Sequence, residues 1–289
     1  MKLKNTCAII TGANRGLGFE IAKHYLSEGA KVTICGRDEN KLAEAQKTLE
    51  KFSDASHIFS LKVDISIPEQ VENLFKTALS KMGDVNVLIA NAGVYGTKGP
   101  IEEIDWQEWS DAIDINLKGS VLITRAVLPH FKRQKKGKII YLSGGGATKP
   151  LPFLSAYAAS KAALVRFCET LAEEVMDFGI DVNAIAPGRL NTRLLDEIIE
   201  AGSEKVGKTF YEQSLKQKED GGDPLSKAAE LSVYLATKAS DGITGKLISA
   251  LWDPWQSLPD YLQDLKQTDI YTLRRIIPSD RGKAWGDVE

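Results

Sequence analysis

Cysteine and histidine are scarce in this chain of 289 residues: three of each. Cys7, Cys35 and Cys168 are odd in number and set among apolar residues, which excludes a disulfide scaffold and fits reduced, buried thiols. His24, His57 and His130 are scattered without ligand spacing, so no metal site is expected. No apolar run approaches the ~18 residues of a membrane span, and Met1-Lys2-Leu3-Lys4-Asn5 lacks the long apolar region of a signal peptide. No membrane partner is expected, and the expected location is cytoplasmic. Charge of one sign is lacking too. A net charge of −2 provides no basic field, so nucleic acid is not an expected partner. The local run Lys132-Arg133-Gln134-Lys135-Lys136-Gly137-Lys138 reads as a solvated connection between a helix and a strand.

What the chain does have is alternation. Thr6-Cys7-Ala8-Ile9-Ile10 leads into Thr11-Gly12-Ala13-Asn14-Arg15-Gly16-Leu17-Gly18, and Phe19, Ile21, Ala22, Tyr25 and Leu26 follow at helical spacing. Strand, glycine-rich turn and helix in that order can cradle a pyrophosphate: glycines let backbone N–H groups come close, and the helix N-terminus adds partial positive charge. The spacing is Gly-x-x-x-Gly-x-Gly, not the usual dinucleotide fingerprint, so a purely steric role stays open for the turn taken alone. Further strands are expected over 31–35, 58–63, 85–90, 138–142, 181–186 and 245–250. Helices are expected over about 40–52, 68–82, 105–114, 116–134, 155–175 and 225–236. This pattern predicts an α/β fold, a doubly wound parallel sheet of Rossmann-like type with helices on both faces. Residues 1–250 form one domain in this reading. Within it, 189–223 is polar and helical, punctuated by Gly202, Gly207, Gly221 and Gly222, and is expected to be a substrate lid or insertion. Residues 251–289 are a C-terminal extension.

The expected strand ends carry the chemistry-bearing residues. Gly36-Arg37-Asp38 closes the first strand–helix–strand unit, where an adenosine ribose would arrive. With Arg15, Arg37 can converge on a 2′-phosphate, which favours NADP(H), with NAD(H) possible if Asp38 takes the ribose instead. Asp64-Ile65, Asn91-Ala92-Gly93 and Pro187-Gly188 end three further strands. Tyr157 and Lys161 stand one helical turn apart at the start of the 155–175 helix, where an ammonium beside a phenol favours the phenolate and allows proton exchange with an alcohol or carbonyl.

Taken together, Thr11-Gly12-x-x-x-Gly16-x-Gly18, Asp64, Asn91-Ala92-Gly93, Asn116, Tyr157-x-x-x-Lys161 and Pro187-Gly188 resemble the short-chain dehydrogenase/reductase family over about residues 3–250. The resemblance implies an NAD(P)-dependent oxidoreductase. Tyr157 would be its general acid or base, with Lys161 lowering the tyrosine pKa and binding the nicotinamide ribose. Asn116 would hold a relay water, Asp64 would bind adenine, Asn91 would line the nucleotide site, and Thr192 would reach the carboxamide. Gly12, Asn14, Arg15, Gly16, Leu17, Gly18, Arg37, Ile65, Ala92, Gly93, Pro187 and Gly188 complete the expected cofactor set. A homodimer or homotetramer is implied as well.

Two departures stand out. Similar enzymes carry a serine after the fifth strand to hold the substrate oxygen, and here that place falls on Gly144. Ser143 can substitute only if the backbone shifts, because neighbouring residues leaving a strand point in different directions. The second departure is the long tail with Trp252, Trp255, Tyr261 and Tyr271, expected to be ordered against its own or a neighbouring subunit. A substrate pocket is expected between 144–154, Tyr95 and 190–211, with Phe153, Phe210 and Tyr211 as an apolar wall. Its substrate would be a ketone or secondary alcohol, cyclic or sugar-like in preference to an acyl thioester. Gly144 also leaves a second reading, a dinucleotide-binding sensor or scaffold with weak or no catalysis.

Overall fold

The protein is described by a computed structural model covering residues 1–285. Its centre is a seven-stranded, all-parallel sheet, in the order β3-β2-β1-β4-β5-β6-β7. The strands are β1 (Cys7–Thr11), β2 (Lys31–Gly36), β3 (Ile58–Lys62), β4 (Val87–Ala90), β5 (Gly137–Leu142), β6 (Ile180–Ala186) and β7 (Lys246–Ser249). All residues of β1, β4 and β5 are buried, which is why Cys7–Ile10, Val87–Ala90 and Ile139–Leu142 read as apolar runs and not as alternating ones. The chain runs outward from β1 to β3, then returns to place β4 on the other side of β1. A doubly wound sheet opens its ligand crevice at the carboxyl ends of the strands at this reversal.

Helices cover both faces. On one, α1 (Gly16–Ser27), α2 (Glu39–Leu49) and α10 (Leu225–Leu235) bury Ile21, Tyr25, Leu42 and Leu231 against Ile10, Ile34 and Ile185. On the other, α3 (Pro68–Met82), α5 (Gly119–Gln134) and α6 (Ser155–Val175) bury Leu74, Val127, Phe131 and Leu164 against Ile9, Leu88 and Ile139. Alternate residues along β1 serve opposite faces, as the pleat requires. The stretch from 189 to 223 carries α7 (Arg193–Ala201), α8 (Ser203–Val206) and α9 (Lys208–Asp220). Its two ends are tied together: Asp223 N donates to Arg189 O at 2.8 Å, and Arg189 N to Asp223 Oδ2 at 2.6 Å.

Two local expectations need correction. The helices expected over 105–114 and 116–134 are a nearly continuous helical run, α4 (Trp106–Ile113) joined to α5 by a π-helical turn at Asp114–Lys118. Widening by one residue puts Asn116 in the interior with no exposed surface. The basic run reaches into β5, and there Lys138 is not solvated. It is 8% exposed, with Nζ 2.6 Å from Asp181, its partner in the β5–β6 register, and 2.7 Å from Asp241 in the turn before β7.

The extension packs on its own chain. Trp255, Leu258 and Leu265 of α11 (Leu262–Gln267) and the turn before it join the core. Beyond them the tail runs beside β7, the edge strand. Leu247 N donates to Tyr271 O at 2.8 Å, Lys246 Nζ to Ile270 O at 2.9 Å, and Leu273 N to Glu169 Oε1 at 2.6 Å. Edge N–H groups that would otherwise invite pairing are thus satisfied within the molecule. Trp252, Tyr261 and Trp285 stay exposed. Residues 286–289 of the expected extension lie outside the described residues.

Candidate active site

A cleft of about 1000 Å³ opens at the carboxyl ends of the strands, running from the glycine turn to Tyr157. The glycines of the turn act for separate reasons. Gly12 has φ +64° and approaches Ala92, whose Cα would lie 2.7 Å from an added Cβ. Gly16 has φ +58°. Gly18 lies against the Asn91 amide and leaves no room for a side chain. Asn91 is the clamp: its Nδ2 donates to Thr11 O at 2.9 Å and to Gly12 O at 3.1 Å. Thr11 Oγ1 in turn accepts from Asn91 N at 3.0 Å and Ala92 N at 3.1 Å. The amide expected to line a nucleotide site therefore fixes the shape of the cradle, and Asn91, Ala92 and Gly93 do line the cleft.

One end of the cleft gathers cations, with Asp38 and Asp64 among them. Arg15, Arg37 and Lys41 line it, together with Arg193, which sequence reasoning missed. A cation in the first turn of a helix opposes the helix dipole, and Arg193 opening α7 was a signal of that kind. Arg15 has no carboxylate within salt-bridge distance among the described residues. Partial burial first, then the Arg193 cation, hold its pKa below the usual value. Asp38 is committed elsewhere: it caps α2 by accepting from Lys41 N at 3.1 Å and pairs with Lys41 Nζ at 3.1 Å. Gly36 makes room for Asn14, whose Cγ would lie 3.2 Å from a Cβ there. Asp64 accepts from Ser66 N at 3.0 Å and stands 4.0 Å from Arg37, while Ile65 packs on Gly119 at the head of α5.

At the other end stand Tyr157 and Lys161, both buried on α6. Lys161 Nζ donates to Leu142 O at 2.7 Å and lies 5.7 Å from the centroid of the Tyr157 ring. Burial brings the Lys161 pKa down to about 8. Burial, then the neighbouring Tyr95, push the Tyr157 phenol up. The expected lowering of that phenol by Lys161 is not met in this geometry: desolvation penalises the phenolate, and the ammonium is directed at a carbonyl. Asn116 Oδ1 accepts from Val94 N at 2.8 Å, and its Nδ2 donates to Val94 O and Ser160 Oγ, each at 2.9 Å. Both amide donors are spent, so the relay water expected there is left only the second lone pair of Oδ1.

The substitution of Ser143 for a residue at 144 depended on a backbone shift that the chain does not make. Ser143 N continues the ladder to Ile185 O at 2.9 Å, and Gly144 is extended at φ −170°, ψ 172°. Successive side chains then point to opposite sides. Ser143 Oγ is buried without a partner among the described residues. Pro187 and Gly188 follow β6 at the rim of the cleft. Gly188 has φ +97°, and a Cβ there would meet Asp223 Oδ2 at 2.9 Å. Thr192 stands at the N-cap position of α7 without a side-chain capping bond and reaches the glycine turn, its Cγ2 3.7 Å from a Cβ built on Gly16. Leu154, Tyr157, Ile198 and Val206 form a small apolar cluster, with Tyr95 and Phe210 against it.

A parallel sheet with a glycine cradle at its switch point, and a tyrosine–lysine pair at the far end of the same cleft, define a dinucleotide-dependent oxidoreductase. The chain belongs to the short-chain dehydrogenase family, whose sequence profile matches residues 6–202. It is 33% identical over 194 residues to an uncharacterized oxidoreductase of Staphylococcus saprophyticus, covering 67% of this chain and 82% of that one. It is 31% identical over 268 residues to the dehydrogenase/reductase SDR family member 7B of Bos taurus, covering 91% and 78%. Among solved structures, a 3-ketoacyl-(acyl-carrier-protein) reductase from Brucella melitensis complexed with NADH superimposes with a TM-score of 0.74 at 28% identity, covering 86% of this chain and 97% of that one. An actinorhodin polyketide ketoreductase with NADPH gives 0.77 at 27%, covering 84% and 95%.

Proposed function

We propose that the protein is an NADP(H)-dependent oxidoreductase interconverting a ketone and a secondary alcohol, with residues 1–250 as the catalytic domain and 189–223 as its lid. The observation that carries this reading is the Tyr157 hydroxyl. It has no hydrogen-bond partner among the described residues and lines the cleft that begins at the glycine turn.

The residues present fit a bound dinucleotide. Gly12 and Gly18 leave a cradle that any Cβ would fill, and α1 begins at its floor. Arg15, short of an anionic partner, and Arg37 support a phosphate on the adenosine ribose, whereas Asp38 is occupied by the cap of α2. A nicotinamide supplies or accepts hydride in such a site. Tyr157 gives its proton to the carbonyl oxygen in reduction and takes it back in oxidation. Lys161 offers its ammonium to a ribose hydroxyl and to the proton path. Asn116 fixes Val94 and, through Ser160, the first turn of α6. Leu151 and Phe210, which line the cleft with Tyr95 and pack against the Tyr157 cluster, support a substrate with an apolar, cyclic body.

The test is loss of reduced-nicotinamide absorbance with NADPH and with NADH over a panel of cyclic, aromatic and aliphatic ketones. Turnover that disappears in Tyr157→Phe while NADPH binding persists supports the reading. Stoichiometric NADPH binding with no turnover on any ketone or alcohol favours a sensor or scaffold. Self-association as a homodimer or homotetramer belongs to the same reading and is checked by light scattering.

A further inference from the structure

We propose that the Tyr95 hydroxyl is the second hydrogen-bond donor to the reacting substrate oxygen, taking the place of the side chain that position 144 lacks. The proposal rests on the reductase reading above. Hydride addition to a carbonyl carbon moves the C=O π pair onto oxygen, which receives its proton from Tyr157. A second donor stabilises that oxygen while its charge is building.

Position 144 cannot supply that donor, because a Cβ there would collide with Tyr157 Oη. Ser143 is among the residues lining the cleft, but its Oγ is enclosed and meets no partner among the described residues. Tyr95 lies in the cleft itself, its ring edge-on to that of Tyr157 with centroids 4.6 Å apart and planes at 60°. Its hydroxyl has no hydrogen-bond partner among the described residues and, unlike Ser143 Oγ, is not sealed off from the cleft. Burial, then Glu197, push its pKa up to about 12, so it stays protonated and remains a donor at neutral pH.

The residue is also held in place. Val94, just before it, is clasped through both its N–H and its C=O by Asn116. Gly96, just after it, sits so close to Ala112 Cβ that no side chain fits, at φ +69°. Lys98 Nζ then closes the loop onto Gly96 O at 3.1 Å and stands 4.0 Å from Glu197 of α7. A donor fixed from both sides needs no reorganisation as the oxygen gains charge. Phenylalanine would pack against the same cluster of Leu154, Ile198 and Val206 as well, so packing does not require the hydroxyl.

The test is Tyr95→Phe, which keeps the ring and removes the hydroxyl, assayed with NADPH on the ketone panel beside wild type and Ser143→Ala. Expected is a fall in kcat of about a hundredfold, with NADPH affinity by fluorescence titration and thermal stability both unchanged. A wild type that turns over while Tyr95→Phe stays within about twofold of it overturns the Tyr95 role and leaves the reductase reading standing. So does a larger loss in Ser143→Ala than in Tyr95→Phe. A wild type that binds NADPH but reduces no ketone overturns both.

Discussion

Tyr157 Oη occupies the space that a Cβ on Gly144 would need, with ring atoms Cζ and Cε1 3.2 and 3.4 Å from the same point. The absence of a side chain at position 144 is therefore part of how Tyr157 is seated, not an isolated loss. Gly144→Ala and Gly144→Ser are expected to displace the ring, which packs edge-on against Tyr95. Each should destabilise by about 1–3 kcal/mol in urea unfolding, as overpacked sites do. kcat should fall by about tenfold or more, because small misplacements of a reacting group are costly. A serine variant faster than wild type would show that the ring moves aside freely.

Tyr157→Phe removes the proposed proton donor and almost no volume. Loss of a general acid costs about 10²–10⁴-fold, so the expected result is a kcat lower by about a thousandfold with unchanged NADPH affinity. Steady-state kinetics beside fluorescence titration separate the two effects.

Arg15→Ala and Arg37→Asp test the cofactor end. Hydrogen bonds to charged groups contribute about 1.5–3 kcal/mol, and Arg37 is largely exposed, so its share belongs at the low end. NADPH should bind about tenfold more weakly in either variant while NADH binding hardly changes. A preference for NADPH that survives Arg37→Asp counts against a phosphate at that turn.

Lys161 provides a pH signature. Burial lowers its pKa from 10.5 to about 8. Below about pH 8 the folded and unfolded chains both hold the proton, and the penalty for burying the charge is constant. As pH rises from there, the unfolded chain keeps a proton that the folded chain has released, so this residue makes stability rise with pH. Lys161→Met lacks that rise. The melting temperature of wild type should climb relative to the variant between about pH 7 and about pH 9.5, before tyrosine ionisation intervenes. A constant difference across that interval would mean that the ammonium is solvated.

Trp255 tests whether the extension belongs to the core. It is 8% exposed, and its Nε1 donates to Ala250 O at 3.3 Å. Trp255→Ala should cost about 3–5 kcal/mol in equilibrium unfolding. An alanine at the exposed Trp252 should cost less than about 0.5 kcal/mol.

Much of the molecule was legible in the sequence because the signals are local. Buried parallel strands read as apolar runs, helices show their period, and Gly12, Gly16, Tyr157 and Lys161 announce themselves by spacing. Side-chain partners were less legible. Lys138 looked solvated because nothing within its own segment pairs with it; Asp181 reaches it through the sheet register and Asp241 from the turn before β7. Asn91 and Asn116 were expected to face ligands, yet much of their hydrogen bonding goes to Thr11, Gly12 and Val94, which lie 22 to 80 residues away.

The sequence by itself determined the α/β alternation, the glycine cradle, the tyrosine–lysine pair and the absence of a serine at 144, because each is a matter of residue type at short range. Only the tertiary structure decided what those residues face. It set Tyr157 into the gap at Gly144, enclosed Ser143 Oγ, brought Tyr95 edge-on to Tyr157 and laid the tail along β7. The physical reason is that burial and contact depend on chain segments far apart in sequence. Desolvation of Tyr157 and Lys161 follows from the closed cleft around them, and no spacing rule contains it.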